Sequence, residues 1–180
     1  MTTTPLVTAS TWTIDPTHAE IGFTVRHLMS KVRGKFDTFE STLVTADDVT
    51  ASTVSVTVDL SSISTGSVDR DNHLRSGDFF DAETHPTMTF TSTGVVAKGD
   101  DLVVTGDLTI KDVTKSIELD VELLGEGGDP WGGTRVGVDA TGQISRKDFG
   151  IDFNVPMEGD KVMIGDKITL SISAEYVKQA

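Results

Sequence analysis

Apolar and polar positions alternate along most of this chain. Val54, Val56, Val58 and Leu60 are interleaved with Thr53, Ser55, Thr57 and Asp59. Leu102, Val104, Leu108 and Ile110 alternate with Val103, Thr105, Asp107 and Lys111, and Ile117, Leu119, Val121 and Leu123 with Glu118, Asp120 and Glu122. A longer run sets Ile168, Leu170, Ile172, Ala174 and Tyr176 against Thr169, Ser171, Ser173 and Glu175. Fainter alternation covers Ile21–His27, Met88–Ser92 and Val136–Ile144. Successive side chains of a strand point to opposite faces, so a period of two predicts strands with one face buried and one wet. That is the antiparallel signature, since strands of a buried parallel sheet are apolar throughout.

The breaks between these runs read as turns. Lys98-Gly99-Asp100-Asp101 predicts a hairpin, Lys111–Thr114 a second short connection, and Gly125–Gly133 a glycine-rich loop. About eight strands follow from Thr11 onward, several of them ten residues or longer. Long amphipathic strands in that number cover one another without open edges by closing into a barrel. Val68–Ala82 breaks the alternation, with Leu74, Phe79 and Phe80 as its main apolar residues, and reads as one or two helical turns inserted between strands. The expected fold is therefore all-β: an extended eight-stranded antiparallel barrel with a short helical insertion around residues 68–82. Residues 1–10 read as a flexible N-terminal arm and residues 11–180 as a single domain.

Composition supports strands: 26 Thr, 20 Val and 10 Ile make β-branched residues nearly a third of the 180 positions. Lys and Arg number 15 against 28 Asp and Glu, for a net charge of -13. Taken over the whole chain, that balance argues against nucleic acid and against anionic membrane surfaces as partners. The absence of cysteine excludes disulfides, thiol nucleophiles and thiolate metal sites. The opening MTTTPLVTAS has neither the basic stretch nor the apolar run of a secretory leader. No stretch approaches the roughly 20 apolar residues of a membrane span. The expected location is cytoplasmic.

A small eight-stranded barrel is either filled by its own side chains or hollow enough for one ligand. The inward residues are mostly Val, Ile, Leu, Ala and Gly, which leaves both possibilities open and gives any cavity an apolar lining. His27 continues the inward phase of Ile21, Phe23 and Val25. It either hydrogen-bonds the polar end of a ligand or caps an exposed rim. Arg146-Lys147-Asp148-Phe149-Gly150-Ile151 reads as a strand-ending bulge with a structural ion pair, or else as a ligand entrance at Arg146. No GxSxG elbow, phosphate loop or recognised metal spacing is present. His18, His73 and His85, with neighbouring carboxylates, are the remaining candidates for a metal-dependent or acid–base reaction.

Four blocks of the chain resemble the YceI-like family. They are Asp15–His18 with Ile21–His27; His73–Asp81 with His85-Pro86 and Phe90–Ser92; Gly106–Ile110 with Val113–Lys115; and Arg146–Ile151. Taken in order, they cover Trp12 to Tyr176. The resemblance implies a lipocalin-like barrel that encloses a long apolar ligand, a polyisoprenoid or isoprenoid quinone, with a fatty acid or its amide as the alternative. It implies no enzymatic activity, no cofactor apart from that ligand, and frequent homodimers.

The leading expectation is thus a non-enzymatic carrier with a ligand-lined interior. Phe23, Val25 and His27 are placed on one strand of the site, and Leu74, Phe79 and Phe80 form a partial lid from the insertion. Val58, Met88, Phe90, Leu108, Ile110, Leu119, Val121 and Ile172 are placed along the wall. A metal-dependent enzyme at His18, His73 and His85 and a packed structural barrel with a partner surface are the competing readings.

Overall fold

The computed structural model describes residues 7–157 and 163–179. Its strands are β1 (Ser10–His27), β2 (Ser30–Phe36), β3 (Phe39–Thr45), β4 (Thr53–Asp59), β5 (Ile63–Ser64), β6 (Thr87–Lys98), β7 (Asp101–Ile110), β8 (Val113–Gly128), β9 (Thr134–Ser145) and β10 (Ile164–Lys178). The helix α1 (Val68–Arg75) lies between β5 and β6.

Ten segments make eight barrel positions, because two of the positions are broken strands. The 18-residue β1 pairs with β2 through Ile21–His27 and with β3 through Ser10–Thr13, so β2 and β3 are one bent strand. The two-residue β5 continues the line of β4 and pairs with the end of β2. All pairings are antiparallel, and β10 returns to pair with β1 and close the barrel, as the alternation predicts.

Tracing the strands fixes two ends. The β1–β2 turn, the insertion, the β7–β8 turn and the β9–β10 connection gather at the upper end. Residues 46–52 and the β6–β7 and β8–β9 turns lie at the lower end.

Local chemistry explains the elements. Ser67 caps α1 by accepting from the Arg70 N–H, and Asp69 and Asp71 in its first turn suit the positive end of the helix dipole. Arg75 in the last turn donates to Ser61 O at 2.8 Å and Ile63 O at 3.2 Å, which fastens the insertion to the rim. The β7–β8 turn places Lys111 and Asp112 at φ 53° and 62°, the left-handed pair that matches strand twist in a two-residue hairpin.

The core forms two apolar clusters that meet at Val56, Leu74, Phe80, Met88, Val138 and Ile172. Trp12 and Leu60 anchor one, with no exposed surface, and the Trp12 indole N–H donates to Thr45 Oγ1 at 2.9 Å. Phe149, Phe90 and Leu108 anchor the other.

Two expectations need correction. Gly125–Gly128 is not loop: it continues β8, and only residues 129–133 form the turn. A register shift between Leu123 and Gly125 marks a bulge there, and Gly125 takes φ 104°, which glycine tolerates. The expected arm lies outside the described residues up to position 6, but its described part is packed. Val7 is buried in the core, and the Thr8 backbone N–H and hydroxyl donate to Glu126 Oε1 at 2.8 and 3.0 Å.

Candidate functional site

The barrel is hollow. A cavity of about 250 Å³ occupies the upper end, with two smaller ones of about 80 and 90 Å³ beneath it. They run in line along the axis. The upper and middle cavities share Met88 and Leu170, and the middle and lower share Val56, Phe90, Leu119, Ile172 and Tyr176. Side chains, rather than backbone, form both partitions. An apolar cavity of about 150 Å³ stays dry and admits a benzene ring, so the upper chamber alone exceeds what packing defects leave behind.

Alternation places the expected residues around this axis. Phe23, Val25, His27, Leu74, Phe79, Phe80, Met88 and Ile110 line the upper cavity. Val58, Met88, Phe90, Leu108, Leu119 and Ile172 line the middle one, and Val121 joins Phe90, Leu119 and Ile172 at the lower one.

Two aromatic groups frame the upper cavity. Phe36 stands between Phe23 and Phe80, with ring centroids 5.7 and 6.1 Å away. Opposite, His73, Phe79 and Phe153 meet edge to face at 4.9 to 5.2 Å. This second group joins the helical insertion to the β9–β10 connection over the chamber.

The segment that sequence reasoning missed is that connection. Ile144, Phe149, Ile151, Phe153 and Val155, with Met163, Ile164, Ile168 and Leu170, line the upper cavity, as do Val32 and Phe36. The signal was present: Phe149, Ile151, Phe153 and Val155 alternate with Gly150, Asp152 and Asn154. Beyond Gly150, however, the segment is irregular, apart from one isolated bridge at Pro156, rather than a strand.

Four polar residues border the upper cavity, and three are already engaged. Arg70 donates to Thr65 Oγ1 at 2.8 Å and Thr65 O at 2.7 Å. His73 Nε2 lies 2.9 Å from Asp78 Oδ2. Arg146 is 4% exposed and donates to Gly165 O at 2.9 Å, to Ile151 O and Phe153 O at 2.8 Å, and more weakly to Ile164 O. Burial pushes its guanidinium below the ordinary arginine value, and Asp166 and Asp152 oppose the shift. Arg146 is thus a structural clasp that binds the β9–β10 connection to the start of β10, and it presents no spare donor to the chamber. His27 is the fourth. Half-buried, its ring has no hydrogen-bond partner among the described residues.

A polar pair stands in the wall where the middle and lower cavities meet. The Tyr176 hydroxyl lies 2.8 Å from Ser41 Oγ, which itself donates to Ser55 O at 2.8 Å. Tyr176 is therefore the donor of the pair, and its hydroxyl is spent on the wall. Outside the barrel, Arg135 donates to Asp15 at 2.8 Å, Asp129 at 2.9 Å and Glu175 at 3.0 Å. Hydrogen bonds from Thr17, Arg135 and His18 hold the Asp15 carboxyl well below the usual carboxylate range.

The three histidines proposed for chemistry are not brought together. His18 pairs with Asp15, His73 with Asp78 and His85 with Asp112. Among the described residues no group of three or more His, Asp or Glu is placed to hold a metal ion. No helix among them is long and apolar enough to cross a membrane.

Comparison with known proteins agrees with this architecture. The family model of the YceI-like domain matches residues 12–176. Protein YceI of Escherichia coli is 42% identical over 164 residues, covering 90% of this chain and 83% of the relative. The crystal structure of BcnA from Burkholderia cenocepacia superposes with a TM-score of 0.80 at 20% identity, covering 90% of this chain and 98% of its own. A polyisoprenoid binding domain from Saccharophagus degradans superposes with a TM-score of 0.69 at 18% identity, covering 96% and 100%.

Proposed function

We propose that this chain, which belongs to the YceI-like family, is a non-enzymatic carrier of a long-chain isoprenoid lipid, a polyisoprenoid or an isoprenoid quinone. The observation that carries the reading is the line of three apolar cavities with side-chain partitions and one uncommitted polar ring, His27, at the top. Each chamber alone is small for a ligand site; joined, they enter the range of roughly 300–1,000 Å³ usual for one. Enclosing an apolar chain contributes about 0.8 kcal/mol per methylene, so affinity needs few directed contacts. The likeness to a polyisoprenoid binding domain supports the same ligand class.

In this reading the fourteen side chains from Phe23 to Ile172 named above contact the chain, and His27 holds the head group. Native mass spectrometry of freshly purified protein, followed by solvent extraction, tests it. The expected result is a bound mass that extracts as a prenyl chain or quinone. Extraction of a fatty acid or its amide, or a bare protein that takes up none of these lipids, overturns it. His27→Leu should weaken a quinone by roughly three- to tenfold, the worth of one hydrogen bond, and leave a prenyl hydrocarbon unchanged.

A further inference from the structure

Residues 21–36, the upper half of β1, the turn and β2, contain Arg26, Lys31, Arg33 and Lys35 and no Asp or Glu, in a chain of net charge -13. Their alternation splits two faces. Phe23, Val25, His27, Val32 and Phe36 line the upper cavity, and the exposed Arg26, Lys31, Arg33 and Lys35 project outward. On the neighbouring β10 the register slips between Val25–Ile168 and His27–Ile164, so residues 165–167, with the half-exposed Asp166 and the exposed Lys167, lie opposite Arg26. Asp166 is turned to Arg146 and Lys147, 3.5 Å from each, and residues 167–174 carry no acid. Five of the 15 Lys and Arg of the chain therefore share one outer surface next to the cavity.

Two features of this surface oppose folding. Arg26 and Lys31 are direct cross-strand partners, and like charges in that position are destabilising. Among the described residues neither enters an ion pair, nor does Arg33, whereas Lys35 lies 3.7 Å from Asp37. At the tip, Leu28 sits at φ 54°, where glycine or asparagine is the unstrained choice. Leu28 is 45% and Met29 98% exposed, so the turn holds two large apolar side chains in water. Lysines on an exposed strand edge commonly guard against edge pairing, but that explains neither Arg26 on β1 nor the Leu-Met tip.

A bilayer with anionic head groups resolves both conflicts. It neutralises the clustered cations, at roughly fivefold in affinity for each, and it takes up an apolar tip flanked by them. We propose that the β1–β2 hairpin docks the barrel on an anionic lipid bilayer, with Leu28 and Met29 entering the acyl boundary and the cations of β1, β2 and β10 on the head groups. The whole-chain charge, which opposes such a surface, does not describe this face. Docking also sets Val25, His27 and Val32 of the cavity wall directly behind the membrane contact.

The test is flotation of the purified protein with two sets of vesicles, phosphatidylcholine alone and an equal mixture of phosphatidylcholine and phosphatidylglycerol. The protein should float with the mixed vesicles only, less so as salt rises. Met29→Asp should abolish flotation, and Arg26→Gln should weaken it about fivefold. The chain has no cysteine, so Met29→Cys takes a single environment-sensitive dye. Its emission should shift to the blue with mixed vesicles, while the same dye at Val96→Cys, exposed on β6 toward the lower end, should not respond. Absence of flotation, flotation unaffected by Met29→Asp, or equal response of both dyes overturns the proposal. So does a change of oligomeric mass on Arg26→Gln with flotation intact, which assigns the hairpin to a second copy of the chain. No ligand enters these measurements, so docking and the isoprenoid reading can fail separately.

Discussion

The ring of Phe23 lies across the bare Cα of its cross-strand partner Gly34. A Cβ built at Gly34 would stand 2.3 Å from Phe23 Cζ, inside any real contact distance. Position 34 falls on the inward phase of β2, and the phenyl ring of the neighbouring strand fills the space that its side chain would occupy. Gly34→Ala must therefore push Phe23 toward Phe36 and the upper cavity. The expected outcome is a fold retained at a cost of about 1–3 kcal/mol and a marked loss of ligand uptake. Equal uptake by variant and parent, in titration with a prenyl lipid, would show that the ring moves outward instead.

Met88 divides the upper cavity from the middle one. Methionine is unbranched and adapts to irregular space, which suits a partition that a ligand must displace. Met88→Trp makes the partition rigid and wide. Binding of a short prenyl alcohol should survive in this variant, and that of a long one should fall at least about tenfold, since two lost methylenes already account for that much. A uniform loss across chain lengths would mean that the lower cavities take no part.

Arg146, 4% exposed, donates to four backbone carbonyls. In Arg146→Met, Ile164 O keeps the Asn154 Nδ2 donor at 2.7 Å, and each of the other three that stays buried and unpaired costs about 1–3 kcal/mol. Urea unfolding should show a loss on the order of 3 kcal/mol. Arg146→Lys should recover little of it, because an ammonium cannot span the fork. Full recovery with lysine would reduce the role of Arg146 to its charge near Asp166.

The Arg135 network sets an acid-side limit. Hydrogen bonds lower the pKa of Asp15, mainly from Thr17 and then Arg135, and of Asp129, mainly from Arg135. A carboxylate with a depressed folded-state value adds stability that is complete above its unfolded value, near about 3.9, and is lost as the pH falls below it. Thermal unfolding of the parent should thus weaken steeply below about pH 4, and that of Arg135→Gln less steeply, so that the two curves converge in acid. Parallel curves would detach Arg135 from the titration.

Strands with uninterrupted alternation, such as residues 117–123 of β8 and 168–176 of β10, were legible because each inward slot holds an apolar residue. β2 was not. Its inward slots hold Val32, Gly34 and Phe36, and the glycine erases the period while Phe23 fills its place from the next strand. Gly125–Gly128 escaped for the same reason, since Glu126 is its one side chain and no apolar position marks a face. In the cavity, wall positions followed from strand phase. The lid beyond Gly150 did not, because its apolar residues reach the chamber from irregular backbone clasped by Arg146, a contact made across the chain. The basic face of the first hairpin was hidden by averaging: net charge summed over 180 residues cancels a local excess.

The seam between β1 and β10 has a consequence in time. It joins Trp12 to Lys178 and runs to His27 and Ile164, so β1 is made long before the strand that pairs with it. Pairings so distant in sequence form late, since the loop they close is nearly the whole chain. The barrel therefore cannot shut while its C-terminal strand is still within the ribosome. Until β10 emerges, β1 and β9 are open edges and the apolar interior faces solvent. The nascent protein is most prone to aggregate, and most accessible to a long hydrophobic chain, in that interval.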